Sequence, residues 1–171
     1  MTALRALVVA AALMLAVTLQ LGVLPTIAIA DVVPNLVLVV VIGLAVARGP
    51  EYGAVVGFAA GLALDLAPPA DHIAGRWALA FVVVGYLAGM ARRDARSSAV
   101  AAVLVVAAGS FIGTSLFALS GLVLRDAGVT VAGVLHVLPI AVLYDVVLTP
   151  LVIPAVLALM RRVQPTAAVR A

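Results

Sequence analysis

The length of its uncharged stretches constrains this chain more than any other feature. No charged residue interrupts the sequence between Arg5 and Asp31 or from Ala99 to Leu124, and Asp145 alone interrupts it from Val134 to Met160. A segment crossing the hydrocarbon of a bilayer needs roughly 20 apolar residues at 1.5 Å of rise each, and three runs reach that length. Composition points the same way. Only 10% of residues are charged and 67% are hydrophobic, where a water-soluble domain carries about 25% charge. Lipid is therefore the solvent, and the expected fold is all-α: a polytopic membrane bundle of about six transmembrane helices.

Polar residues, prolines and glycines mark the expected spans at 5–29, 32–47, 52–67, 77–91, 99–124 and 134–160. Asp31 closes the first, and Pro34 is placed in the first turn of the second, where a missing N–H costs nothing. Arg48-Gly49-Pro50-Glu51 reads as a tight turn, Pro68-Pro69 as a helix stop, and the stretch around Asp71 and His72 as a polar loop. Trp77 sits where an interfacial anchor belongs. Residues 1–164 read as a single transmembrane domain and 165–171 as a short cytoplasmic tail. Arg5, the apolar stretch and Ala28-Ile29-Ala30 imitate a cleavable leader. That stretch, Ala6 to Leu24 or about 19 residues, exceeds the roughly 7–15 of a leader's apolar region, so it is read as a retained helix.

All ten basic residues are arginine. With the N-terminus inside, Arg5, Arg48, Arg92, Arg93, Arg96, Arg161, Arg162 and Arg170 fall on the cytoplasmic side, and only Arg76 and Arg125 outside. This is the bias of cytoplasmic loops, and it suits an even number of helices with both termini in the cytoplasm. No basic patch is large enough to suggest nucleic acid. The chain has no cysteine, which excludes disulfides, thiolate metal sites and thiol nucleophiles.

The chemistry-bearing residues are few. Gly53, Gly57, Gly61 and Asp65 recur at four-residue steps along one helix face, and small residues at that spacing let backbones approach closely in lipid. Gly85 and Gly89 on the fourth helix, and Gly109, Ser110, Gly113, Thr114 and Gly121 on the fifth, read as further packing or partner faces. Asp65 should point into the bundle or reach for the outer interface. Asp145 lies deeper, on a helix broken up by Pro139, Pro150 and Pro154, with Thr149 one turn on to share a hydrogen bond. Intramembrane acids usually face a cavity or a partner, so the two carboxylates are expected either to border one outward-facing polar pocket or to fix helix packing. His72 and His136 are too far apart to suggest a metal site, and no serine has a histidine base beside it. Neither catalysis nor a cofactor is indicated.

Taken in order, Pro34-Asn35-Leu36, Arg48-Gly49-Pro50-Glu51-Tyr52-Gly53, the run from Gly57 to Asp65, Gly75-Arg76-Trp77-Ala78-Leu79, Gly85-Tyr86-Leu87-Ala88-Gly89, and Tyr144 to Pro154 leading into Arg161-Arg162 resemble the rod shape-determining protein MreD family. Asp145 departs from the asparagine that the resemblance implies. The resemblance implies a non-catalytic scaffold of the cell-elongation machinery. Its partners would be the bitopic protein MreC, RodA, a class B penicillin-binding protein and, indirectly, the actin-like MreB, together organising peptidoglycan synthesis. It further implies a fold similar to the substrate-binding subunits of energy-coupling-factor vitamin transporters. The alternative is a membrane solute-binding or carrier subunit with a pocket near Asp65 and Asp145.

Overall fold

The computed structural model describes residues 2–68, 73–126 and 128–163; Pro69, Asp71, His72 and the residues from Gln164 onward lie outside them. Seven helices follow one another: α1 (Thr2–Gly22), α2 (Leu36–Arg48), α3 (Pro50–Leu66), α4 (Arg76–Met90), α5 (Arg92–Ser97), α6 (Ala99–Val123) and α7 (Val131–Val163). The molecule is an all-α membrane helix bundle. Three of its helices, α1, α6 and α7, are long and apolar enough to cross a bilayer.

Several boundaries differ from the sequence reading, each for a local reason. The first helix ends at Gly22 and not near Ile29. A 3-10 turn, Leu24–Ile27, follows with Pro25 in its first positions, and a proline disfavours helical backbone in the residue before it. Ala30 and Asp31, both at positive φ, reverse the chain so that Ile29 and Val32 pair. Pro34 precedes the second helix, whose N-cap is Asn35, instead of lying in its first turn. The charged stretch left between the expected fourth and fifth spans contains a short helix, Arg92–Ser97, with Ala95 buried beneath it. The sixth span runs three residues further in each direction, to Val131–Val163.

The centre of the molecule is α2. Every residue from Val37 to Val46 is buried, as expected of a helix that is hydrophobic all round, and α2 packs against all six other helices. Its 13 residues make about 20 Å of helix, short of the ~30 Å hydrocarbon core. It therefore begins inside the bundle. At the other extreme, the 33 residues of α7 extend for about 50 Å.

Arginines gather at one end. Arg5 Nε donates to the Val163 carbonyl at 3.0 Å, and an Arg92 guanidinium nitrogen donates to the Arg48 carbonyl at 3.3 Å. The start of α1, the α2–α3 turn, α5 and the end of α7 thus meet, and the exposed Arg93, Arg96, Arg161 and Arg162 belong to the same elements. Gly49, at φ +109°, makes the α2–α3 turn possible.

Candidate functional site

The four-residue series on α3 lies against α4 along its whole length. A Cβ on Gly53 would overlap the Gly85 carbonyl, and one on Gly85 would overlap that of Gly53. Gly57 sits on the Phe81 carbonyl, Gly61 on the Ala78 backbone, and Gly89 on Pro50. The result is an antiparallel seam in which backbone touches backbone. Each of these glycines is covered by the facing helix, so the seam is filled from within the chain.

Asp65 is the last member of the series and takes up the start of the neighbouring helix. Its Oδ2 accepts from the Gly75 and Ala78 amides at 2.9 and 3.0 Å, and its Oδ1 from the Trp77 amide at 3.1 Å. Those N–H groups belong to the first turn of α4, where intrahelical partners are lacking and the helix dipole favours negative charge. Gly75, at φ +100° in the left-handed region, turns the chain so that they converge. The carboxylate is 1% exposed.

Beside it, Arg76 is equally buried, which the sequence reading had not anticipated. Its guanidinium pairs with Asp126, donates to the Phe117 carbonyl at 2.7 Å and to Ser120 Oγ at 3.3 Å, and lies 3.9 Å from the Phe117 ring centroid. The missing side chain of Gly121 leaves room for it. This cluster fastens α4 to the end of α6.

Asp145 does for α2 what Asp65 does for α4. Its Oδ1 accepts from the Asn35 amide at 2.8 Å, and its Oδ2 from the Ser110 hydroxyl at 2.7 Å. Gln20 of α1 accepts from the Val37 amide at 2.8 Å, and the Asn35 side chain from the Leu38 amide at 3.1 Å. Three amides at the start of a buried helix are thereby met by side chains from α1, α7 and the cap itself. Thr149 does not reach the Asp145 carboxylate. Its hydroxyl donates to the Asp145 backbone carbonyl at 2.9 Å, because one helical turn brings a threonine oxygen to the carbonyl four residues back.

A common polar pocket between the two acids is absent among the described residues. Each carboxylate serves the start of a different helix, and with 0% and 1% exposure for Asp145 and Asp65 no water-sized space adjoins Asp145. Gly109 and Gly113 of α6 receive the Ile42 and Leu38 side chains of α2, together with Val84 of α4. Nor do any three or more of His, Cys, Asp and Glu among the described residues gather closely enough to hold a metal ion.

Sequence reasoning missed Gln20, Asn35 and Arg76 as structural polar groups. The signal for Asn35 was present: asparagine is a preferred N-cap, and it follows a proline just before an apolar run. Nothing local pointed to Gln20.

A family model described as rod shape-determining protein MreD matches residues 1–163. The chain belongs to the MreD family. Membership carries a role in rod shape determination and places the chain among membrane proteins of structural type, in keeping with its apolar helices. No curated protein and no solved structure matches the chain. The similarity to vitamin-transporter subunits that the resemblance implied therefore has no solved structure in its support.

Proposed function

We propose that this MreD-family chain is a non-catalytic, multi-pass scaffold of the bacterial plasma membrane, with both termini in the cytoplasm. It binds an MreC-like bitopic protein and, through the elongation complex, RodA, a class B penicillin-binding protein and indirectly MreB, helping to organise peptidoglycan synthesis. One observation supports this over a carrier: the intramembrane polar groups are consumed in starting and joining helices. Asp65, Arg76 and Asp145 are all buried and all engaged. Outward from them the helices present large apolar side chains such as Phe58, Leu79, Phe111 and Leu143, a surface suited to lipid and to other transmembrane helices. The solute-binding alternative needs a polar cavity at the two acids, and against it both carboxylates are buried among the described residues and accept from amides or a hydroxyl.

Affinity purification of the tagged chain in mild detergent tests the proposal. The MreC-like protein is expected in the eluate, with RodA and the penicillin-binding protein in lower yield. Repeated absence of the MreC-like protein from eluates of cells that express it would overturn the scaffold reading.

A further inference from the structure

A groove of about 370 Å³ lies between α1 and α3 at the arginine-rich end of the bundle. Its floor is apolar, formed by the buried Val9, Leu13 and Val56, while the exposed Ala10 and Ala59 leave the space between its walls open. Arg5 and Arg48 stand at its rim. Arg5 uses Nε on the Val163 carbonyl, and Arg48 lies 5.4 Å from the Tyr52 ring centroid. Among the described residues neither guanidinium has a carboxylate partner.

We propose that this groove holds an acyl chain of an anionic phospholipid from the leaflet on the arginine-rich side, with Arg5 and Arg48 on its phosphate. Two observations select this occupant. The first is charge: the groove is apolar along its length and cationic at one end, the arrangement of a phospholipid read in reverse, and arginine forks match phosphate oxygens. The second is depth. From Arg5 to Leu13 the groove follows α1 for eight residues, about 12 Å, under half of the ~30 Å hydrocarbon. A partner's transmembrane helix would run the full thickness, whereas a lipid tail occupies one leaflet.

The purified chain is exchanged into equal parts phosphatidylglycerol and phosphatidylethanolamine, and the lipids it retains are read by native mass spectrometry. Selective retention of phosphatidylglycerol is expected. Arg5→Gln with Arg48→Gln should lower that retention by about tenfold or more, at roughly 1 kcal/mol for each surface arginine toward anionic lipid. Ala59→Phe fills the groove from its exposed wall and should abolish retention of both lipids, while Arg162→Gln, outside the groove, should change nothing. A phosphatidylglycerol carrying a photoreactive tail gives a second readout on the unmodified chain, with labelling expected on Val9–Leu13 and Val55–Ala59. The proposal fails if the two lipids are retained alike, if Ala59→Phe retains lipid as before, or if the photoreactive tail labels only α4, α5 or α6, which do not line the groove. It also fails if the wild-type chain retains no lipid and carries instead a second copy of the chain or another protein that is missing from Ala59→Phe preparations.

Discussion

Asp65 and Asp145 have the same task but tolerate replacement differently. Both oxygens of Asp65 accept from backbone amides, so an asparagine there would turn an NH2 group toward at least one N–H. Asp145 accepts from an amide on one oxygen and from a hydroxyl on the other. An asparagine at 145 keeps the first bond through its carbonyl and donates to Ser110 Oγ through its nitrogen, since a hydroxyl accepts as readily as it donates. This explains how the asparagine implied by the family resemblance and the aspartate found here fit one site. Asp145→Asn should lie within about 1 kcal/mol of wild type and Asp65→Asn should lose about 2–3 kcal/mol, since a buried group left unpaired costs 1–3. Asp145→Ala, which leaves both the Asn35 amide and Ser110 unmet, should resemble Asp65→Asn. Thermal unfolding in detergent ranks the three, and equal losses for the two asparagine variants would contradict the capping geometry. Local spacing revealed the inward face of Asp65, because it continues a glycine series. The partners of Asp145 lie 110 and 35 residues away, and no periodicity links them.

At the scale of elements, glycines serve two kinds of contact. On α3 and α4 they let backbone meet backbone, where nothing can move aside. On α6 they accept the tips of flexible side chains: a Cβ on Gly113 would lie 2.8 Å from Leu38 Cδ1, which can rotate away. Gly22 has nothing within 4 Å. Alanine substitution should therefore be graded. Gly57→Ala should destabilise by 3 kcal/mol or about that, at or beyond the upper end for an overpacked core, and reduce the amount accumulating in the membrane. Gly113→Ala should cost about 1 kcal/mol, and Gly22→Ala should be neutral or gain up to about 1 kcal/mol of helix propensity. Melting temperatures and membrane yields of the three variants check the order. The sequence showed these stripes but not which helix each meets, since a row of small residues fits any neighbouring backbone. It also hid α5, because six residues, five of them polar, between two apolar runs read alike as loop or as short helix.

For the whole molecule, long uncharged runs and the placement of arginine made the bundle legible as a class. Helix ends and central packing were less so, because the starts of α2 and α4 depend on side chains of other helices in addition to any cap of their own. The proposed orientation has a direct test. The chain lacks cysteine, so a single introduced thiol reports its own side of the membrane. Ser98→Cys, between α5 and α6, should react with a membrane-impermeant maleimide only after the inner face is opened, and Gly128→Cys should react in intact spheroplasts. The reverse pattern would invert the topology. Both sites lie outside the long helices, so stability should change by less than about 0.5 kcal/mol.

The start of α2 also sets a schedule for synthesis. This helix leaves the ribosome early, yet the group that receives its Asn35 amide belongs to α7, synthesised about 110 residues later. Until α7 has been inserted, the middle of the nascent bundle holds one amide that neither Gln20 nor the Asn35 side chain answers, in a medium with no water to answer it. Chains that stall before Asp145 should remain open at their centre, recognisable to membrane quality control by that defect alone. Arrival of α7 and closure of the interior would then be one event.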